Sequence, residues 1–145
     1  MSQVKVSTKG LYGTLAVLDL AVHYATGHVH KADIAARQGI PEQYLAQLLS
    51  ILRRAGYVKS VRGPAGGHIL NRAPSEISVG EIVELLDGPQ ITRLKNPSAE
   101  QTSKTVIQNL LYEADEAAAK VLYSLTFDKV VEQLRKHEGT LDFII

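Results

Sequence analysis

At 145 residues the chain suits one domain, or one domain with an oligomerisation arm, and its 45% hydrophobic content is enough for a core. It contains no cysteine, which excludes a disulfide framework and any thiolate metal or redox site. The net charge of +1 hides a division: residues 1–30 carry +1, residues 31–72 carry +5 and residues 73–145 carry −5, so a basic middle faces a polyanion better than either end does.

No apolar run approaches the roughly 20 residues that span a bilayer, and the start MSQVKVSTKG lacks the apolar centre of a signal peptide. The expectation is a soluble cytoplasmic protein without membrane contact. A first helix begins near Ser7, a suitable N-cap, and runs through LYGTLAVLDLAVHYA with Leu11, Leu15, Leu18 and Val22 as its buried stripe. A short second helix, KADIAARQ at 31–38, is closed by Gly39. Pro41 opens a third helix, where its missing N–H costs little. Leu45, Leu48, Leu49 and Leu52 give that helix an apolar face at i, i+3, i+4, i+7.

YVKSVRGPAGGHIL at 57–70 then reads as a hairpin: Val58 and Val61 mark one strand, Ile69 and Leu70 the other, and Gly63-Pro64-Ala65-Gly66-Gly67 the connection. Two helices, a tight turn and a hairpin follow the order of a winged helix-turn-helix. The side of the third helix opposite the leucines carries Glu42, Gln43, Ala46, Gln47, Ser50, Arg53 and Arg54. Amides there suit base edges and guanidinium groups suit phosphates or guanine; the plain alternative is a solvated helix face.

Ser78 and Glu81 have capping-box spacing and start a helix with Ile82, Leu85 and Leu86 inward, ended by Asp87-Gly88-Pro89. Residues 90–104, QITRLKNPSAEQTSK, read as a polar loop. A long helix follows whose apolar stripe includes Val106, Ile107, Leu110, Leu111, Ala114, Ala117, Ala118, Val121 and Leu125. The alanines permit close approach of a second helix, and another copy of the chain is the simplest partner. Ile107, Leu110, Leu111, Ala114, Ala118 and Val121 are therefore the expected dimer contacts. Thr126 caps a last helix that Gly139 should stop, leaving the apolar tail 141–145 to dock. The fold class expected is mainly α with a small β-hairpin wing, a winged helix-turn-helix plus a long dimerisation helix. Its divisions are 1–89 for the DNA-binding domain, 90–104 for the polar loop, and 105–145 for the dimerisation and C-terminal helices.

These residues together resemble the Rrf-two family of small bacterial winged-helix regulators. The resemblance runs through VSTKGLYG, through DIAARQGIPEQYLAQLLSILRRAGYVKSVRGPAGGHIL and through ISVGEIVELLDGP, closely over about residues 4–89 and by element order beyond. It implies a homodimer on double-stranded operator DNA, with third helices in successive major grooves and wing tips in the neighbouring minor grooves. Arg62 stands where the family places a minor-groove arginine, which a narrow A·T-rich groove attracts. Base or groove readout then falls to Gln43, Gln47 and Arg62, and backbone contact to Ser7, Lys9, Tyr44 and Arg54. Gly66 and Gly67, with Gly63, let the wing's main chain come near the DNA. Tyr44 reads equally well as a core residue beside Leu45 and Leu48.

Two departures qualify the resemblance. Where a cluster-binding member has an acidic base reader, this chain has Ala46, so base preference does not carry over. Many members hold an iron–sulfur cluster with three cysteines in the loop before the long helix; this loop has none, and no cofactor or metal is expected. Arg93, Lys95 and Lys104 are candidates for an anionic effector, with a solvated loop as the ordinary reading. His23, His28 and His30 gather near Gly27, yet their spacing differs from a helical i, i+4 metal pair.

The function expected is a sequence-specific DNA-binding transcription regulator, a homodimeric repressor acting by occlusion; a small-molecule effector, a protein effector and plain abundance are the open alternatives for its release. The alternative class is a protein-interaction adaptor that docks on a metabolic enzyme. An enzyme is not expected: GPAGG lacks the lysine and hydroxyl of a phosphate-binding P-loop, and no GxSxG appears.

Overall fold

The Ser7 hydroxyl accepts from the Gly10 N–H at 3.1 Å and so starts α1, Thr8–Val22. The computed structural model describes residues 6–89 and 102–144, with side chains as far as 139. After α1 come α2 (Lys31–Gln38), α3 (Glu42–Arg54), β1 (Val58–Val61), β2 (Gly67–Leu70) and a 3-10 turn at Pro74–Glu76. Then follow α4 (Val79–Asp87), α5 (Ser103–Ser124) and α6 (Phe127–Ile144). Among the described residues no helix is long and apolar enough to cross a membrane.

The side of α1 that is buried differs from the expected leucine stripe. Gly13, Ala16, Val17, Leu20 and Ala21 are buried, while Leu11 is half exposed and Leu15, Leu18 and Val22 are only partly covered. The reason is crowding: α1 packs against α2, α3, α4 and α6, and its small residues let those helices approach closely. A Cβ at Gly13 would meet the Leu86 side chain of α4 at 2.0 Å. The four leucines of α3 are all buried as their spacing predicts, against Ile34, Ile40 and Val58 in the same core. Pro41 stands one position earlier than expected, as the N-cap of α3, with extended ψ of 129°.

The second end of the chain joins this core. The Phe127 N–H donates to the Ile77 carbonyl at 3.0 Å and the Val79 N–H to the Leu125 carbonyl at 2.7 Å, so the start of α6 is strapped to the start of α4. Phe127 and Val131 are buried in the core, where α6 packs against α1 and the 3-10 turn. The helix then continues past Gly139, because an interior glycine costs only about 1 kcal/mol and nothing forces it out of the helical region. The side chains of residues 141–145 lie outside those described, as do Arg93 and Lys95.

A charge network ties α1 to α2. Asp19, buried at 2% exposure, accepts from Arg37 Nε at 2.9 Å, Arg37 Nη2 at 2.8 Å and Gln38 Nε2 at 2.9 Å. His23 Nδ1 lies 3.4 Å from the same carboxylate. Burial opposes the charge, but the Arg37 and Gln38 hydrogen bonds and the Arg37 and His23 charges outweigh it and hold Asp19 below its usual 3.8. A depressed carboxylate stabilises the fold above its unfolded value and stops doing so as pH falls through the folded one. Asp19→Asn should cost about 2 kcal/mol at pH 7. The gap from the native protein should narrow once pH drops below 3.8. Urea midpoints at pH 7 and pH 3 check this, and an equal gap at both would count against the network.

Candidate nucleic-acid interface

Because its leucines point inward, α3 turns Gln43, Gln47, Ser50 and Arg54 outward at spacings of four, three and four, one stripe along the helix. Gln43, Gln47 and Arg54 are exposed, and Ser50 is partly so. Ala46 has no polar reach, and with Gln47, Ser50, Ile51 and Arg54 it lines a shallow concavity on this outer face. The guanidinium of Arg54 bends back only loosely, its Nε 3.4 Å from the Ser50 carbonyl; a bond so long leaves the group available to another acceptor.

The wing is an antiparallel pair with Val58 opposite Leu70 and Val61 opposite Gly67. Val58 and Leu70 anchor it in the core. A third segment joins it: Val29 and His68 exchange two backbone hydrogen bonds of 2.8 Å, fixing β2 to the stretch before α2. At the tip the Gly66 N–H donates to the Gly63 carbonyl at 2.9 Å, which closes the turn. Arg62 stands exposed on this turn, and among the described residues no carboxylate pairs with it. Gly66 and Gly67 are needed by the hairpin itself. A Cβ on Gly66 would sit 2.1 Å from the Val61 carbonyl oxygen. One on Gly67, at φ +135°, would sit 2.6 Å from that of Val29.

The other expected backbone contacts are placed as follows. Lys9 is exposed in the first turn of α1. The Ser7 hydroxyl, besides capping the helix, donates to Asp87 Oδ1, and the Ser7 N–H donates to Asp87 Oδ2 at 2.9 Å. Tyr44 is partly buried, its ring edge-on to Tyr12 with centroids 5.7 Å apart, so its ring packs in the way its leucine neighbours suggested while its hydroxyl remains available. The α5 residues lie apart from this surface, since α5 packs on α4: Gly80 leaves room for the Tyr123 ring, and the Tyr123 hydroxyl donates to Glu84. Burial, with the Glu84 hydrogen bond and charge, pushes that phenol up to about 12, so it stays a donor throughout the physiological range.

Sequence reading named Ser50 and Arg53 on α3 but missed Lys31, Ser60 and His68, which join them to link helix to wing. Lys31, Ser50, Arg53, Ser60 and His68 line one cleft together with Ala46 and Leu49. The strand register carries the only advance signal, because it sets Ser60 opposite His68, whose Nδ1 lies 2.7 Å from the serine Oγ. Lys31 was hidden by its place at the start of an ordinary short helix. Lys31 and Arg53 thus share the cleft between α3 and the wing, and the acid close to them is Glu42, 3.9 Å from Lys31 in a loose exposed pair.

A helix presented outward beside a basic, glycine-tipped hairpin defines a winged helix-turn-helix protein. The Rrf2 family, described as "Iron-dependent Transcriptional regulator", matches residues 6–133, and the chain belongs to that family. The HTH-type transcriptional regulator IscR of Aliivibrio salmonicida is 50% identical over 84 residues, covering 58% of this chain and 50% of that one. The chain therefore spans about half the length of that curated relative. Among solved structures, CymR, titled the global cysteine regulator of B. subtilis, superposes with a TM-score of 0.79 at 35% identity, over 90% of this chain and 98% of that one. T. potens IscR gives 0.74 at 40% identity, over 90% and 88%. These relatives are transcription regulators, not enzymes. The iron in the family description finds no matching donor set here: the chain has no cysteine, and among the described residues no three His, Asp or Glu side chains gather to hold a metal.

Proposed function

We propose that this protein is a homodimeric, sequence-specific repressor that binds double-stranded operator DNA and occludes a promoter. The observation that carries the reading is the shared border of α3 and the wing: exposed amides at Gln43 and Gln47, exposed guanidinium groups at Arg53 and Arg54, and an unpaired Arg62 at the tip. Amides on the helix suit adenine edges in the major groove. An arginine on a slender turn suits the minor groove, where the potential is most negative over A·T runs. Lys9, Tyr44 and Arg54 are the proposed phosphate contacts. Ser7, whose N–H and hydroxyl are held by Asp87, and Gly66 and Gly67, which shape the wing, bring the main chain near the DNA without supplying a free donor at Ser7 or Gly66. The dimer forms through Ile107, Leu110, Leu111, Ala114, Ala118 and Val121 of α5, and a small-molecule or protein effector releases the DNA.

Fluorescence anisotropy on the DNA upstream of the protein's own gene tests the reading, with scrambled duplex as competitor. The native protein should bind tightly and with a steep salt dependence. Arg62→Ala should cost on the order of 1–3 kcal/mol while the fold is unchanged. If selection from a genomic fragment library also yields no preferred sequence, the DNA reading fails.

A further inference from the structure

We propose that the cleft between α3 and the wing is a binding site for a tetrahedral oxyanion, gripped by Lys31, Arg53, Ser50, Ser60 and His68. The cleft measures about 170 Å³; at roughly 30 Å³ per water this is room for several waters, or for an oxyanion with part of its shell. Its walls come from three elements: Lys31 from the first turn of α2, Ser50 and Arg53 from α3, Ser60 and His68 from the facing strands. Two cationic groups, two hydroxyls and an imidazole converge there on one space. Lys31 and Arg53 can only donate and the Ser50 hydroxyl can donate beside them, which suits an anion, while the Ser60–His68 hydrogen bond commits one proton between those two groups and fixes them in place.

The charges facing His68 agree with this. Burial, followed by the positive charges of Lys31 and Arg53 and by His28 and His30, presses its imidazole below the usual 6.5. Glu42 touches only Lys31, at 3.9 Å on the exposed rim, and does not neutralise the cleft. An anion seated there relieves the repulsion, so its arrival should lift the His68 titration midpoint back toward the ordinary value.

Two sources supply this chemistry, a backbone phosphate of bound DNA and a free inorganic anion. The experiment separates them with the whole 145-residue chain. In the first arm, sulfate replaces chloride at constant ionic strength without DNA, and the His68 ring resonances are followed from pH 5 to 8. Sulfate stays the dianion over that whole range, so any shift of midpoint belongs to the protein. A saturable perturbation with a raised midpoint, at least tenfold weaker in Lys31→Gln and in Arg53→Gln but retained in Lys59→Gln, assigns the site to a free anion. All three side chains border solvent, and thermal melts confirm folding.

The second arm alone rests on the repressor reading. If sulfate does not saturate, the salt dependence of operator binding should fall by about one phosphate contact in Arg53→Gln, which assigns the site to DNA phosphate. No saturation together with an unchanged salt slope overturns the proposal. Should the protein prefer no DNA at all, the sulfate arm still decides, so the two readings fail separately.

Discussion

Leu110→Glu should leave the protein monomeric at micromolar concentration, where the native chain is expected to form the proposed dimer, and weaken operator binding at least 100-fold. The basis is α5, whose described length buries only Asp115 and Ala119 against its own chain. Val106, Ile107, Leu110, Leu111 and Val121 are 45, 55, 55, 40 and 57% exposed. A lone exposed leucine is ordinary; here Val106 and Ile107 lie four and three residues before Leu110, and Ala114, Ala118 and Val121 continue from it at four, four and three, so that a whole stripe of the helix lacks a cover. In a two-fold pair the stripe meets its own copy, so each substitution acts twice. A buried Leu side chain is worth about 1.5–3 kcal/mol, and a carboxylate facing its symmetry mate adds repulsion and desolvation.

On the proposed function, operator affinity should fall with the dimer, because the second reading helix would no longer be held at a high effective concentration beside the first. Glutamate is a good helix former, and Leu110 takes no part in the monomer's core, so helicity and melting of the isolated chain should change little. Sedimentation and anisotropy read the two effects. A variant that stays dimeric and binds operator normally would put the seam on another face.

Phe127→Ala should destabilise the fold by about 3–5 kcal/mol, the range for emptying a buried aromatic site. Phe127 is fully buried and sits at the strap between α4 and α6. Its helix packs against α1 and the 3-10 turn, which hold the surroundings of the ring in place. Denaturant midpoints with an unchanged slope are the expected readout. A loss under 1 kcal/mol would mean that α6 docks on a body already stable without it.

How far the sequence foretold this molecule depended on how local the cause was. The range of α2, the leucine face of α3, the Ser78–Glu81 capping box and the strand pair all follow from neighbours within a few residues, and each emerged where it was read. The buried side of α1 did not. Leu11, Leu15, Leu18 and Val22 have the better helical period, but four packing partners select the small residues that let them come near. Asp19 is polar in any sequence pattern, and only the arrival of Arg37 and Gln38 from α2 makes its burial tolerable. Of the interface, the α3 stripe and Arg62 were visible as residue types. Lys31, Ser60 and His68 were not, because their convergence is a property of the wing's position and the Val29–His68 bridge.

The anchoring of α5 gives that helix the character of a measuring rod. It is fixed at its C-terminal end, where Tyr123 packs on Gly80 and Leu125 is bonded to Val79, while its apolar stripe extends back toward Val106. Each residue between anchor and stripe advances the axis by about 1.5 Å and turns it by about 100°. In the proposed dimer the distance and phase between the two reading helices would therefore be set by the length of α5 between its anchor and its stripe, so that inserting a residue there should change the half-site spacing the protein prefers.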